Sequence, residues 1–111
     1  MEQIDAFIEN WTDNDSKTRQ AFIEIYDHLK TLDQVGFDFN ERAKVSYSLR
    51  PRHNSQKERT LFAMVDVIDD DPDERWLSVC FYGEMITDPD EAGDLIPEGL
   101  LGEDGYCFDL Y

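Results

Sequence analysis

Three stretches that read as strands constrain this chain more than anything else in it. Over residues 44–50, apolar Val45, Tyr47 and Leu49 alternate with Lys44, Ser46, Ser48 and Arg50. Over 60–68, Leu61, Ala63, Val65 and Val67 share one parity, and Phe62, Met64, Asp66 and Ile68 the other. Over 76–86, Leu77, Val79, Phe81 and Met85 oppose Trp76, Ser78, Cys80, Tyr82 and Glu84. A period of two sends successive side chains to opposite faces of a strand, so each stretch predicts a strand with one face against a core. The polar runs between them are short: Pro51 to Glu58, then the acidic turn 69–74 with Pro72. Short connections favour an antiparallel meander.

A sheet with an apolar face needs a second layer, and the upstream chain supplies it. Phe22, Ile25, Tyr26, Leu29 and Leu32 follow the i, i+3, i+4, i+7 rule. This predicts an amphipathic helix of about 18 residues, with Gly36 as its terminator. Ile4, Phe7, Ile8 and Trp11 predict a shorter helix over 3–11. Residues 12–16 break it and offer N-cap oxygens to the next. Residues 87–105 hold two prolines and four glycines and read as a loop. Tyr106, Phe108 and Leu110 then alternate as a closing strand. The expected fold is α+β: two N-terminal helices packed on one face of an antiparallel sheet of about four strands, in the order α-α-β-β-β-loop-β, as a single domain over 1–111. At 111 residues the chain is long enough for one core.

Charge narrows the partners. The net charge is −16, which repels nucleic-acid phosphates and anionic membrane surfaces, so neither is expected as a partner. The charge is uneven: −7 over 1–41, +5 over 42–59 and −14 over 60–111. Pairing of the basic segment with its acidic neighbours across strands is the plain consequence. No apolar run is long enough to span a bilayer. The acidic start, Met1 to Asp5, lacks the features of a secretion signal, so the expected location is cytoplasmic. In a reducing compartment Cys80 and Cys107 are expected as free, buried thiols.

Motifs for chemistry are sparse. Asp69, Asp71 and Asp73 fall at positions one, three and five of a calcium loop, but Glu74 stands where that loop requires glycine. The expectation is a solvated turn, with Asp69, Asp71 and Asp73 as the residues a metal-handling reading would use. The histidines and cysteines have no zinc spacing. There is no Gly-x-Ser-x-Gly and no glycine-rich loop ending in Lys-Ser/Thr. No cofactor is expected and no catalytic set is assembled; an enzyme reading comes last, and its pocket would lie under residues 87–105 with Arg50, Asp66 and Tyr82 as polar groups. The remaining feature is the second sheet face, carrying Arg50, Phe62, Met64, Asp66, Trp76, Tyr82 and Glu84. Aromatics, methionine and arginine among small polar groups make the composition of a binding surface or a dimer interface. The alternative is that residues 87–105 fold over this face, as a second small core or as a lid on a pocket.

Lys44-Val45-Ser46-Tyr47, Leu61-Phe62-Ala63-Met64-Val65 and Trp76-Leu77-Ser78-Val79, following the amphipathic helix, resemble a pattern found in small YdhG-like bacterial domains. The resemblance covers about residues 20–82. It implies the helix-then-sheet fold. Some members of that group are considered frataxin-like with a suggested iron-handling role, but no ligand motif of theirs matches this chain. The expected function is a non-enzymatic binding module whose partner is a basic protein surface or a second copy of the chain. A metal-handling protein is the alternative, and an acidic inhibitor or immunity-type protein the second alternative.

Overall fold

The computed structural model describes residues 2–12, 17–53, 61, 63–71, 73–83 and 86–111. Among them, helices α1 (Glu2–Glu9) and α2 (Thr18–Lys30) precede six strands: β1 (Val35–Arg42), β2 (Ser46–His53), β3 (Met64–Ile68), β4 (Trp76–Tyr82), β5 (Asp94–Leu100) and β6 (Glu103–Leu110). The strands form one antiparallel sheet in the order β1-β2-β3-β4-β6-β5. The class is α+β, with both helices on one face, but the sheet has six strands where about four are expected. No helix among the described residues is long and apolar enough to cross a membrane.

Both extra strands lie where the sequence suggests something else. The second helix ends at Lys30, where the Thr31 hydroxyl and N–H both donate to the His28 carbonyl. Leu32, expected on its buried stripe, is 40% exposed. Gly36 sits inside β1 instead of closing the helix. At the other end Lys17, at φ 58°, precedes the helix without a side-chain cap; of residues 12–16, expected to supply one, 13–16 lie outside the described residues. Strand β5 arises within the expected loop and pairs with β6 through a two-residue turn. Leu101 and Gly102 have φ of 52° and 84°, the two positive values of a type I′ hairpin.

The main core lies between the helices and the sheet. Ile4, Phe7, Trp11, Phe22, Tyr26 and Leu29 meet Phe39, Leu49, Val65, Val67 and Leu77. Phe7 is its centre, with ring centroids 4.4 Å from Tyr47, 5.4 Å from Phe39 and 5.9 Å from Phe22. Leu61 does not join Val65 on this side. β3 begins only at Met64, and Leu61 makes an isolated bridge to Arg52 and does not keep the parity of Val65. Leu61 packs instead with Met64, Cys80, Tyr82, Leu100 and Cys107 in a second, smaller core on the opposite face.

The acidic turn is not wholly solvated. Asp69 is 3% exposed. Its Oδ1 accepts from Arg75 Nε at 2.7 Å, and its Oδ2 from the Lys44 N–H at 2.9 Å. The Arg75 guanidinium lies 5.3 Å from the rings of Phe7 and Tyr47 and 5.7 Å from Trp11. Thr18 at the start of α2 donates to the Arg75 carbonyl at 2.7 Å. One ion pair inside an aromatic cage therefore ties the β1–β2 turn, the end of β3, the start of β4 and both helices together.

Candidate functional site

Alternation places the expected binding face where the pairing register confirms a common side. Arg50 lies opposite Asp38, Asp66 lies between Ser48 and Ser78, and Met64 lies opposite Cys80, on the face away from the helices. Trp76 and Tyr82 share that parity on β4. Phe62 and Glu84 lie outside the described residues. The face is not uniformly free. Met64 and Tyr82 are 9% and 4% exposed and belong to the second core, so they do not form an exposed surface. From the expected loop, Leu100 is buried in this core. It seats over Gly105, where an added Cβ would stand 3.3 Å from the Leu100 Cβ. Trp76 stacks on Tyr111 at 4.8 Å between centroids.

Cys80 and Cys107 are directly opposite on β4 and β6, with Cα atoms 4.1 Å apart, and form a disulfide. The free-thiol expectation is thereby overturned. The alternation had placed both residues on strands, but it carries no information on their oxidation state.

The remainder of the face is a polar row, Asn40, Ser48, Asp66 and Ser78, each opposite the next, of which Asn40 is exposed, Asp66 and Ser78 half-buried and Ser48 buried. Arg50 Nε donates to Ser48 Oγ at 3.2 Å, and the Asn40 amide oxygen accepts from Arg50 Nη1 at 2.8 Å. Asp66 Oδ1 is buried and meets no donor among the described residues. Burial raises the Asp66 carboxyl above its ordinary range, against a bond from Ser48 and the charge of Arg50. The row is a charge-balanced network without a histidine or a thiol.

The acidic turn does not gather ligands. Asp69 is occupied by Arg75 and Lys44, and Asp71 Oδ1 accepts the Asp73 N–H at 3.1 Å. Among the described residues, no group of three His, Cys, Asp or Glu side chains converges as a metal site.

The most distinctive surface is the hairpin the sequence presents as a loop. Residues 86–111 carry eight carboxylates and no lysine, arginine or histidine. Asp88 anchors the entry: it accepts the Gly93 N–H at 2.8 Å, the Tyr106 hydroxyl at 2.7 Å and the Ala92 N–H at 3.0 Å. The Gly93 bond first, then that of Tyr106, holds the Asp88 carboxyl below its ordinary range. The same hydroxyl–carboxylate bond raises Tyr106. A cleft of about 570 Å³ opens where β4 ends, lined by Tyr82, Gly83, Leu95, Tyr106, Gly102, Glu98, Glu103 and Asp104. Beside it Leu95, Ile96 and Leu101 are 55%, 42% and 58% exposed. Leu101 is a bulky residue in the left-handed region, which costs about 1–2 kcal/mol. Leu101 thus stands both strained and exposed at the tip of an acidic hairpin. The charge count alone could have drawn attention to this segment; Leu101 could not, because its backbone conformation has no local sequence signature.

No family model, curated protein or solved structure matches the chain. The YdhG-like resemblance accordingly rests on its residues alone.

Proposed function

We propose that this protein is a non-enzymatic binding module whose β5–β6 hairpin receives a basic protein segment that also carries apolar side chains. The cleft carries this reading: tyrosine and leucine walls take apolar side chains or the stem of a lysine or arginine, while Glu98, Glu103 and Asp104 take the charge. The surrounding negative field steers a cationic partner toward it. An acidic inhibitor offering this hairpin to a basic cleft is a particular form of the same reading. The disulfide favours an oxidising setting over the reducing cytoplasm.

The test separates the cleft from the net charge. A short synthetic peptide of alternating arginine and leucine is titrated against Glu98→Gln/Glu103→Gln and against the remote pair Glu24→Gln/Asp33→Asn. Both doubles have the same net charge. The cleft pair should weaken binding roughly tenfold, and the remote pair should leave it near the parent value. Equal losses from both would reduce the interaction to general electrostatics and remove the site.

A further inference from the structure

The two edges of the sheet are built differently. β5 is closed to strand addition. Pro97 has no N–H, the Gly93 N–H is taken by Asp88, and the register shifts between Ile96 and Leu100. β1 is the reverse: it pairs with β2 without a shift over all eight residues and contains no proline. The Val45 carbonyl accepts the Asp69 N–H at 3.0 Å, so the odd residues of β2 spend their backbone groups on β3. The even ones spend theirs on β1. In an antiparallel ladder this leaves the odd residues of β1, Val35, Phe37, Phe39 and Glu41, with N–H and C=O directed away from the sheet. β1 stands at the edge of the sheet and, among the described strands, pairs with β2 alone.

We propose that a second copy of this chain adds to the β1 edge, antiparallel, about a two-fold axis at Asn40, joining the two sheets into one. Charge selects both the occupant and the register. An axis at Asp38 would set two carboxylates directly opposite, and one at Phe39 would set Asp38 against an uncharged asparagine. An axis at Asn40 sets Asp38 opposite Arg42 of the second copy, twice, and lets Phe39 and Glu41 exchange both backbone bonds. Asp38, Asn40, Glu41 and Arg42 are all exposed. Because β5 is closed, addition stops at two copies, giving a closed isologous pair instead of a filament. The net charge of −16 on each copy opposes the approach at long range, so the dimer tightens as salt screens it.

Light scattering on the oxidised chain reads the mass directly. At high salt it should be twice 13.0 kDa. Arg42→Asp puts carboxylates opposite each other and Asp38→Arg puts arginines opposite each other, so each variant alone should be monomeric at concentrations where the parent pairs. An equimolar mixture should dimerise, because the complementary contacts return. Circular dichroism establishes that each variant is folded; should Asp38→Arg disturb its contact with Arg52, Arg42→Asp alone decides. A monomeric parent at high salt overturns the proposal. So do folded single variants that still dimerise, or a mixture of folded variants that does not.

Discussion

At Arg75 a largely buried charge is stabilised from two sides, by a carboxylate and by three aromatic faces, while its backbone carbonyl accepts the Thr18 hydroxyl. Removing one partner of such a pair leaves the other charged and dry. Arg75→Met should lower stability by about 3–5 kcal/mol, read from a urea denaturation curve. Asp66 works in the opposite sense. Burial raises its carboxyl, so the folded chain holds that proton at pH values where the unfolded chain has released it. This group therefore disfavours folding increasingly as pH rises from its unfolded value through its folded one. Asp66→Asn should raise the melting temperature at neutral pH, and the gain should vanish below the carboxylate range. A neutral-pH melting temperature at or below that of the parent would show that the bond from Ser48 and the charge of Arg50 outweigh burial. The face carrying Asp66 is legible from alternation alone, whereas the burial of Asp69 is not: a run of acids looks solvated unless its one inward member is known to meet an arginine.

At the scale of elements, legibility followed burial. β2, β3 and β4 lie in the interior of the sheet, and their alternation is plain in the sequence. β1 carries a weaker form of the same signal, Val35, Phe37 and Phe39 against Gly36, Asp38 and Asn40, masked by a glycine that also suits a helix end. β5 is exposed at six of its seven positions, so no apolar face marks it, and it is a strand because β6 pairs with it. Its turn offers a clean test. Leu101→Asn creates the Asn-Gly pair preferred in a type I′ hairpin and should add about 1 kcal/mol of stability. The same change should weaken the cationic peptide if Leu101 contacts it. A stability gain with undiminished binding would place the contact elsewhere on the hairpin.

For the whole molecule, the disulfide spans a sequence separation of 27 and encloses β5 and the hairpin turn. Closing a loop of that length in the unfolded chain is worth roughly 3.5 kcal/mol by the chain-entropy relation. Reduction should lower the melting temperature and release two titratable thiols; a thiol assay on unreduced, denatured protein should find none. Strand order departs from chain order only where β6 inserts between β4 and β5. During synthesis β1 to β4 can assemble as they emerge, each beside its predecessor. β5 cannot, because its sole neighbour in the sheet is made after it. The acidic segment must wait, unpaired, until residues 103–110 leave the ribosome. A nascent or prematurely terminated chain would thus possess the helical layer and most of the sheet, yet no β5–β6 hairpin. Under the proposed function, recognition would be acquired last, and an incomplete product would not engage a cationic partner through this site.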